Sequence, residues 1–103
     1  MKINIDENVV KGTLEIGEEK LHYKAYPATL DITLLILEAQ ENEDDKKALL
    51  AYSKYFDECV EFEGFGAKRI KERAKKALER SGKFIEFVTG IFAELGKQNE
   101  PKD

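Results

Sequence analysis

The feature that most constrains this chain is residues 46–66, KKALLAYSKYFDECVEFEGFG. Leu49, Tyr52, Phe56, Cys59 and Val60 recur in steps of three and four, which puts one apolar stripe along a helix. Tyr55 and Phe62 widen that stripe, so the helix is expected to meet neighbours on two sides. Lys54, Asp57, Glu58 and Glu61 fill the polar face. Gly64-Phe65-Gly66 then allows a turn through backbone angles that other residues resist. Such a helix needs partners, and the rest of the chain must supply them.

On the N-terminal side, residues 11–16 (KGTLEI) and 20–26 (KLHYKAY) alternate apolar and polar residues as two strands do. A loop of Gly17, Glu18, Glu19 and Lys20 would set Ile16 opposite Leu21 and Leu14 opposite Tyr23. Ile3 and Ile5 suggest a third, edge strand. A lone hairpin is barely stable in water, so helices must cover its apolar face. Pro27 ends the second strand. Thr29 is the expected N-cap of a helix to about Gln40, with Asp31 at its positive end. Leu30, Leu34 and Leu37 share one face, and Ile32, Leu35, Ile36 and Ala39 cover most of the rest. A helix apolar nearly all round is either central in a core or partly exposed for a partner.

The acidic connection 41–45 lacks the glycine and ligand alternation of a calcium loop. It reads instead as Asn42 capping the next helix, with acids in its first turn. After the Gly-Phe-Gly turn, residues 67–80 form a helix with Ile70, Ala74, Ala77 and Leu78 inward. Arg69, Arg73, Lys76 and Arg80 make a basic stripe beside them, with Glu72 placed to pair with Lys75 or Lys76. The stripe is either a solvated face or a partner-binding edge. Gly82 marks a left-handed cap or a kink, and Phe84, Phe87, Val88, Ile91, Phe92 and Leu95 form a last amphipathic helix. Gly96 is expected to end it and to release a flexible tail, 97–103. The expected architecture is α+β: a short N-terminal β-hairpin, with a possible third edge strand, against three to four helices in one domain, 1–96.

The chain of 103 residues is long enough for one core without disulfides. Its single cysteine cannot form an internal disulfide, no basic-then-apolar leader opens it and no apolar run spans a membrane, so a cytoplasmic setting is expected. Residues 1–66 hold 7 Lys and 15 Asp and Glu, net −8; residues 67–103 hold 10 Lys and Arg and 6 acids, net +4. Net acidity argues against nucleic acid as the main partner. The split suggests head-to-tail association, with the basic stripe meeting Glu43, Asp44 or Asp45 of a neighbour, unless folding neutralises the two halves. His22 reads as a surface residue and Cys59 as a small core residue, with no third group to complete a catalytic set. No phosphate-binding or nucleophile-elbow pattern is present, so no enzyme activity, metal or cofactor is expected.

The hairpin ending in KAYPATLD, the long helix leading into FEGFGAKRI and the closing helix KFIEFVTGIFAEL together resemble the small tail assembly chaperones of long-tailed phages and prophages of Gram-positive bacteria. The resemblance covers roughly residues 11–95. It implies a non-catalytic factor that coats the tape-measure protein before the tail tube forms, with the tail tube protein as a further partner. It also implies self-association, action in the host cytoplasm, absence from the mature virion and, for this chain, the shorter of two frameshift-related forms. Surplus apolar surface on helices 29–40 and 83–95 would suit that task. The alternative is a small nucleic-acid-binding or adaptor domain that uses Arg69, Arg73, Lys76 and Arg80; a small enzyme ranks last.

Overall fold

The computed structural model describes residues 1–4 and 8–98. They form an α+β fold in the order β1 (Val10–Ile16), β2 (Glu19–Ala25), α1 (Leu30–Glu41), α2 (Asp45–Cys59), β3 (Val60–Phe62), α3 (Ala67–Arg80) and α4 (Phe84–Gln98). The sheet is antiparallel, in the order β1-β2-β3.

The β-hairpin turns tighter than its sequence suggests. Leu14 pairs with Leu21 and Ile16 with Glu19, across a two-residue connection of Gly17 and Glu18. Gly17 sits at φ 60°, at the first central position, where a tight connection favours glycine. The register therefore differs by two residues from the expected one. An even slip keeps every side chain on its face, so the apolar face is the expected one.

The third strand comes from an unexpected place. Ile3 is exposed and belongs to no strand, and Ile5 lies outside the described residues. Instead, α2 stops at Cys59 and Val60-Glu61-Phe62 pairs with β2, alternating buried, exposed and buried. Tyr26 N–H donates to the Cys59 carbonyl (2.9 Å) and Glu63 N–H to that of His22 (3.0 Å), which extends the ladder at both ends.

Helix ends also differ in detail. Asp44, not Asn42, caps α2, its carboxylate accepting from Lys47 N–H at 3.1 Å. Asn42 instead closes α1, and Glu43 takes the left-handed position after it at φ 50°. Asp44 N–H then reaches the Ala39 carbonyl and Glu43 N–H that of Gln40, the paired bonds of a Schellman end. Gly82, φ 71°, ends α3 in the same way, with Lys83 N–H on the Leu78 carbonyl. Thr29 is the N-cap of α1, as expected, and its carbonyl accepts from Thr33 N–H at 3.0 Å, but its hydroxyl donates to the Asp31 carboxylate instead of capping the helix backbone. Helix α4 continues through Gly96 to Gln98, whose side-chain amide donates to the Val9 carbonyl (3.3 Å). Of the expected tail, Lys97 and Gln98 are thus helical, and 99–103 lie outside the described residues.

The core lies between the apolar face of the sheet and α2, α3 and α4. Phe56 is its centre, with ring centroids 6.0 Å from Phe62, 5.6 Å from Phe84 and 5.9 Å from Phe87. Tyr55 packs edge-on against Phe92 at 4.7 Å, and its hydroxyl donates to the Tyr26 carbonyl at 2.6 Å. Burial pushes that phenol's pKa up. The ring of Tyr23 stands over Gly12 on the paired strand, in the space that any Cβ there would need. Helix α1 gives this core Ile32, with Ile36 packed against it, and otherwise lies along α2 as the outer arm of a helical hairpin.

Candidate functional site

The four basic residues singled out by their spacing do share one face. Arg69, Arg73, Lys76 and Arg80 are exposed and line a shallow groove of about 480 Å³ with Glu72 and Ala77. Part of this charge is used within the fold. The Arg73 guanidinium makes a two-pronged contact with the Glu19 carboxylate on β2, at 2.6 and 2.9 Å. That contact lowers the pKa of Glu19 and raises that of Arg73. Lys75 turns to α2, where it meets Ser53 Oγ (2.7 Å) and the Asp57 carboxylate (2.9 Å), rather than pairing with Glu72. Lys71 donates to the Asp57 carbonyl, and burial holds its pKa below the usual lysine range. Among the described residues, Arg69, Lys76 and Arg80 make no ion pair. Asp44, an expected partner for the stripe, is already the α2 cap.

The larger unspent surface is apolar. Helix α1 buries only Ile32 and Ala39. On a helix of 3.6 residues per turn, Leu30, Leu34 and Leu37 fall on the side opposite those two. They are 74%, 56% and 47% exposed, too open for a core role. Leu35 faces a groove toward α2, lined also by Glu38, Lys47, Leu50, Ala51 and Lys54, with a volume of about 260 Å³. Leu50 is exposed in its turn.

Two cross-helix ion pairs bridge this groove, Asp31–Lys54 at 3.1 Å and Glu38–Lys47 at 3.4 Å. Both acids and both lysines are seven residues apart, two turns of helix, so the rungs repeat in register along the antiparallel pair. The Thr29 hydroxyl, and then Lys54, hold the Asp31 carboxyl down to about 2. Exposed leucines and these two ion pairs thus share the outer part of the helical hairpin.

Helix α4, expected to share the surplus apolar surface, spends it inside. Phe84, Val88, Ile91 and Leu95 are buried, and Ile85 is its exposed large apolar residue. Leu49, expected on the buried stripe of α2, is also exposed. The sequence signal for the open face was present in the apolar residues all round α1. A helix flanked by a single neighbour can bury only one of its sides.

Cys59 is a buried free thiol whose pKa burial pushes up, the opposite of what a nucleophile needs. His22 stands on the exposed face of the sheet with Nδ1 3.1 Å from Thr13 Oγ1. Among the described residues no helix is long and apolar enough to cross a membrane. The chain matches no known family model, no curated protein and no solved structure.

Proposed function

We propose that the protein is a non-catalytic assembly chaperone that holds an amphipathic helical segment of a larger client on the leucine face of α1 and the α1–α2 groove. The observation that carries this reading is the exposure of Leu30, Leu34, Leu35, Leu37 and Leu50 on a domain whose core is otherwise well filled. Covering the exposed half of five leucines gains about 1 kcal/mol each, roughly 5 kcal/mol together. Association itself costs on the order of 4–15 kcal/mol, so one copy alone binds weakly and reversibly. Many copies along one extended client bind strongly and can still be displaced. That is the behaviour of the tail assembly chaperones that the chain resembles. In this reading the client is a tape-measure protein, the setting is the host cytoplasm before the tail tube closes, and the chaperone leaves before the virion matures.

Co-expression with the tape-measure protein of the same genome tests the proposal. The parent should keep that long helical protein soluble and co-purify with it, and Leu34→Gln with Leu37→Gln should lose it while folding normally. A tape-measure protein that is equally insoluble with and without the parent would overturn the reading. Binding of duplex DNA that falls steeply with salt would favour the basic face of α3 instead.

A further inference from the structure

We infer that β1 offers its outer edge to an extended segment of a different protein, which adds as a fourth strand and seats an apolar side chain in the groove between β1 and α3. The surface involved is separate from the leucine face proposed for the client. Strand β1 lies at the end of the sheet order and is paired on one side only, with β2. In an antiparallel ladder, successive residues turn their backbone groups to opposite sides. Glu63 N–H donates to the His22 carbonyl, so His22 turns its backbone to β3. Its cross-strand neighbour Thr13 therefore turns away from β2, and Lys11 and Glu15 with it. Among the described residues, no backbone group of these three bonds outside the hairpin. At the base of the strand, by contrast, the Gln98 amide occupies the Val9 carbonyl. Edges are commonly blunted by a proline or a bulge. Residues 10–16 contain no proline, and their register with β2 runs without a bulge.

The open backbone groups call for an extended occupant, because a strand presents donors and acceptors at the matching spacing. Beside them, Leu14 and Ile16 of β1 and Ala77 and Leu78 of α3 line a groove of about 220 Å³. An apolar cavity of about 150 Å³ admits benzene, so this groove has room for a phenylalanine ring. Cross-strand neighbours share a face, so alternate residues of the added strand stand beside Ile16, Leu14 and Gly12 and should be apolar. The residues between them stand beside Glu15, Thr13 and Lys11, which are exposed. An antiparallel strand with a basic residue beside Glu15 and an acidic one beside Lys11 has its direction and register set by charge. The partner is thus an alternating apolar segment with a bulky residue beside Leu14. A second copy of β1 does not fit that description: paired about Thr13, it would place Gly12 beside Leu14 and leave the groove empty.

Fluorescence anisotropy of a labelled peptide tests this. The probe is a blocked strand of valine, lysine, phenylalanine, threonine, valine, glutamate and valine, in that order, which fits the edge from Ile16 back to Val10. Binding to the parent should saturate. N-methylation of the probe's lysine, threonine and glutamate removes the donors that face β1 and should weaken binding about tenfold or more. N-methylation of its phenylalanine and central valine, whose N–H groups face away, should change affinity far less. On the protein, Thr13→Pro removes a donor that β2 does not use, a place where an edge strand tolerates proline. It should abolish binding with the fold intact by circular dichroism; the N-methylated probes carry the test should that variant unfold. The Leu34→Gln, Leu37→Gln protein should bind the probe like the parent, so this inference and the client proposal can fail separately. No binding up to the solubility limit of the parent, equal binding of both N-methylated probes, or binding lost in the leucine variant would each overturn the inference. So would a parent that dimerises and releases the probe on doing so, which would assign the edge to a second copy.

Discussion

Helices α1 and α4 are both rich in large apolar residues, yet they spend them in opposite ways. Helix α4 turns Phe84, Val88, Ile91 and Leu95 into the core and leaves Phe87 and Phe92 half-buried beside it. Helix α1 buries Ile32 and Ala39 and shows water Leu30, Leu34, Leu35 and Leu37. The difference lies in the neighbours. Helix α4 has α2, α3 and β1 around it, and α1 is packed mainly along α2. Apolar residues on α4 stabilise the fold; most of those on α1 contribute little to it and remain available to another chain.

Substitutions at matched positions should separate these roles. The largest effect is expected on α4: Ile91→Ala removes a side chain that is 3% exposed. It should cost about 2–4 kcal/mol, read as a fall in melting temperature of more than ~10 °C. The next test concerns the sheet on which α4 rests. Gly12→Ala sets a Cβ into the Tyr23 ring, which is itself packed against Phe62 and Phe87 at centroid distances of 5.8 and 5.1 Å. The ring cannot move without disturbing both, and the expected cost is about 1–3 kcal/mol by urea denaturation. A neutral Gly12→Ala would mean that Tyr23 has another place to go.

The contrast between the two helices also marks where a sequence is informative about this fold. The two hairpin strands and the four helices followed in order from periodicity, and the hairpin faces survived a register slip because the slip was even. The end of α2 did not follow. Cys59, Val60 and Phe62 suit a helical stripe and an alternating strand alike, and pairing with β2 decides between them. Asn42 and Asp44 are both good caps; the left-handed Glu43 between them gives the role to Asp44. The basic stripe was correctly grouped from its spacing, but Arg73's partner is Glu19, 54 residues away, which local spacing does not reveal. For α1 the sequence shows apolar residues on every side and says nothing about how many neighbours will come to cover them.

A smaller effect is expected at the rim of the leucine face. Asp31 has its folded-state pKa lowered to about 2 by the Thr29 hydroxyl and Lys54. A depressed carboxylate pKa stabilises the fold above the unfolded value, about 3.9, and that contribution is lost as pH falls through the folded value. Lys54, whose own pKa is raised, stays cationic throughout this window. Asp31→Asn should therefore melt below the parent at neutral pH, and the gap should close between about pH 4 and pH 2. Parallel melting curves over that interval would show that the exposed pair contributes nothing to stability.

The smallest effect on stability should come from the most apolar surface. Changing Leu30, Leu34 and Leu37 together to Gln replaces three exposed side chains by a polar residue of nearly equal helix propensity. None of the three lies over Ile32 or Ala39, so no core contact is removed. Surface changes of this kind usually stay within about 0.5 kcal/mol each, and the melting temperature should shift by only a few degrees. Binding of a hydrophobic dye to the native protein should fall markedly, because the open leucine stripe is gone. A triple variant that loses as much stability as Ile91→Ala would assign these leucines to the folding of the monomer, and α1 would then differ from α4 in exposure alone. A stable variant with reduced dye binding sets the outer stripe of α1 apart from the core, as apolar surface that the monomer fold does not use.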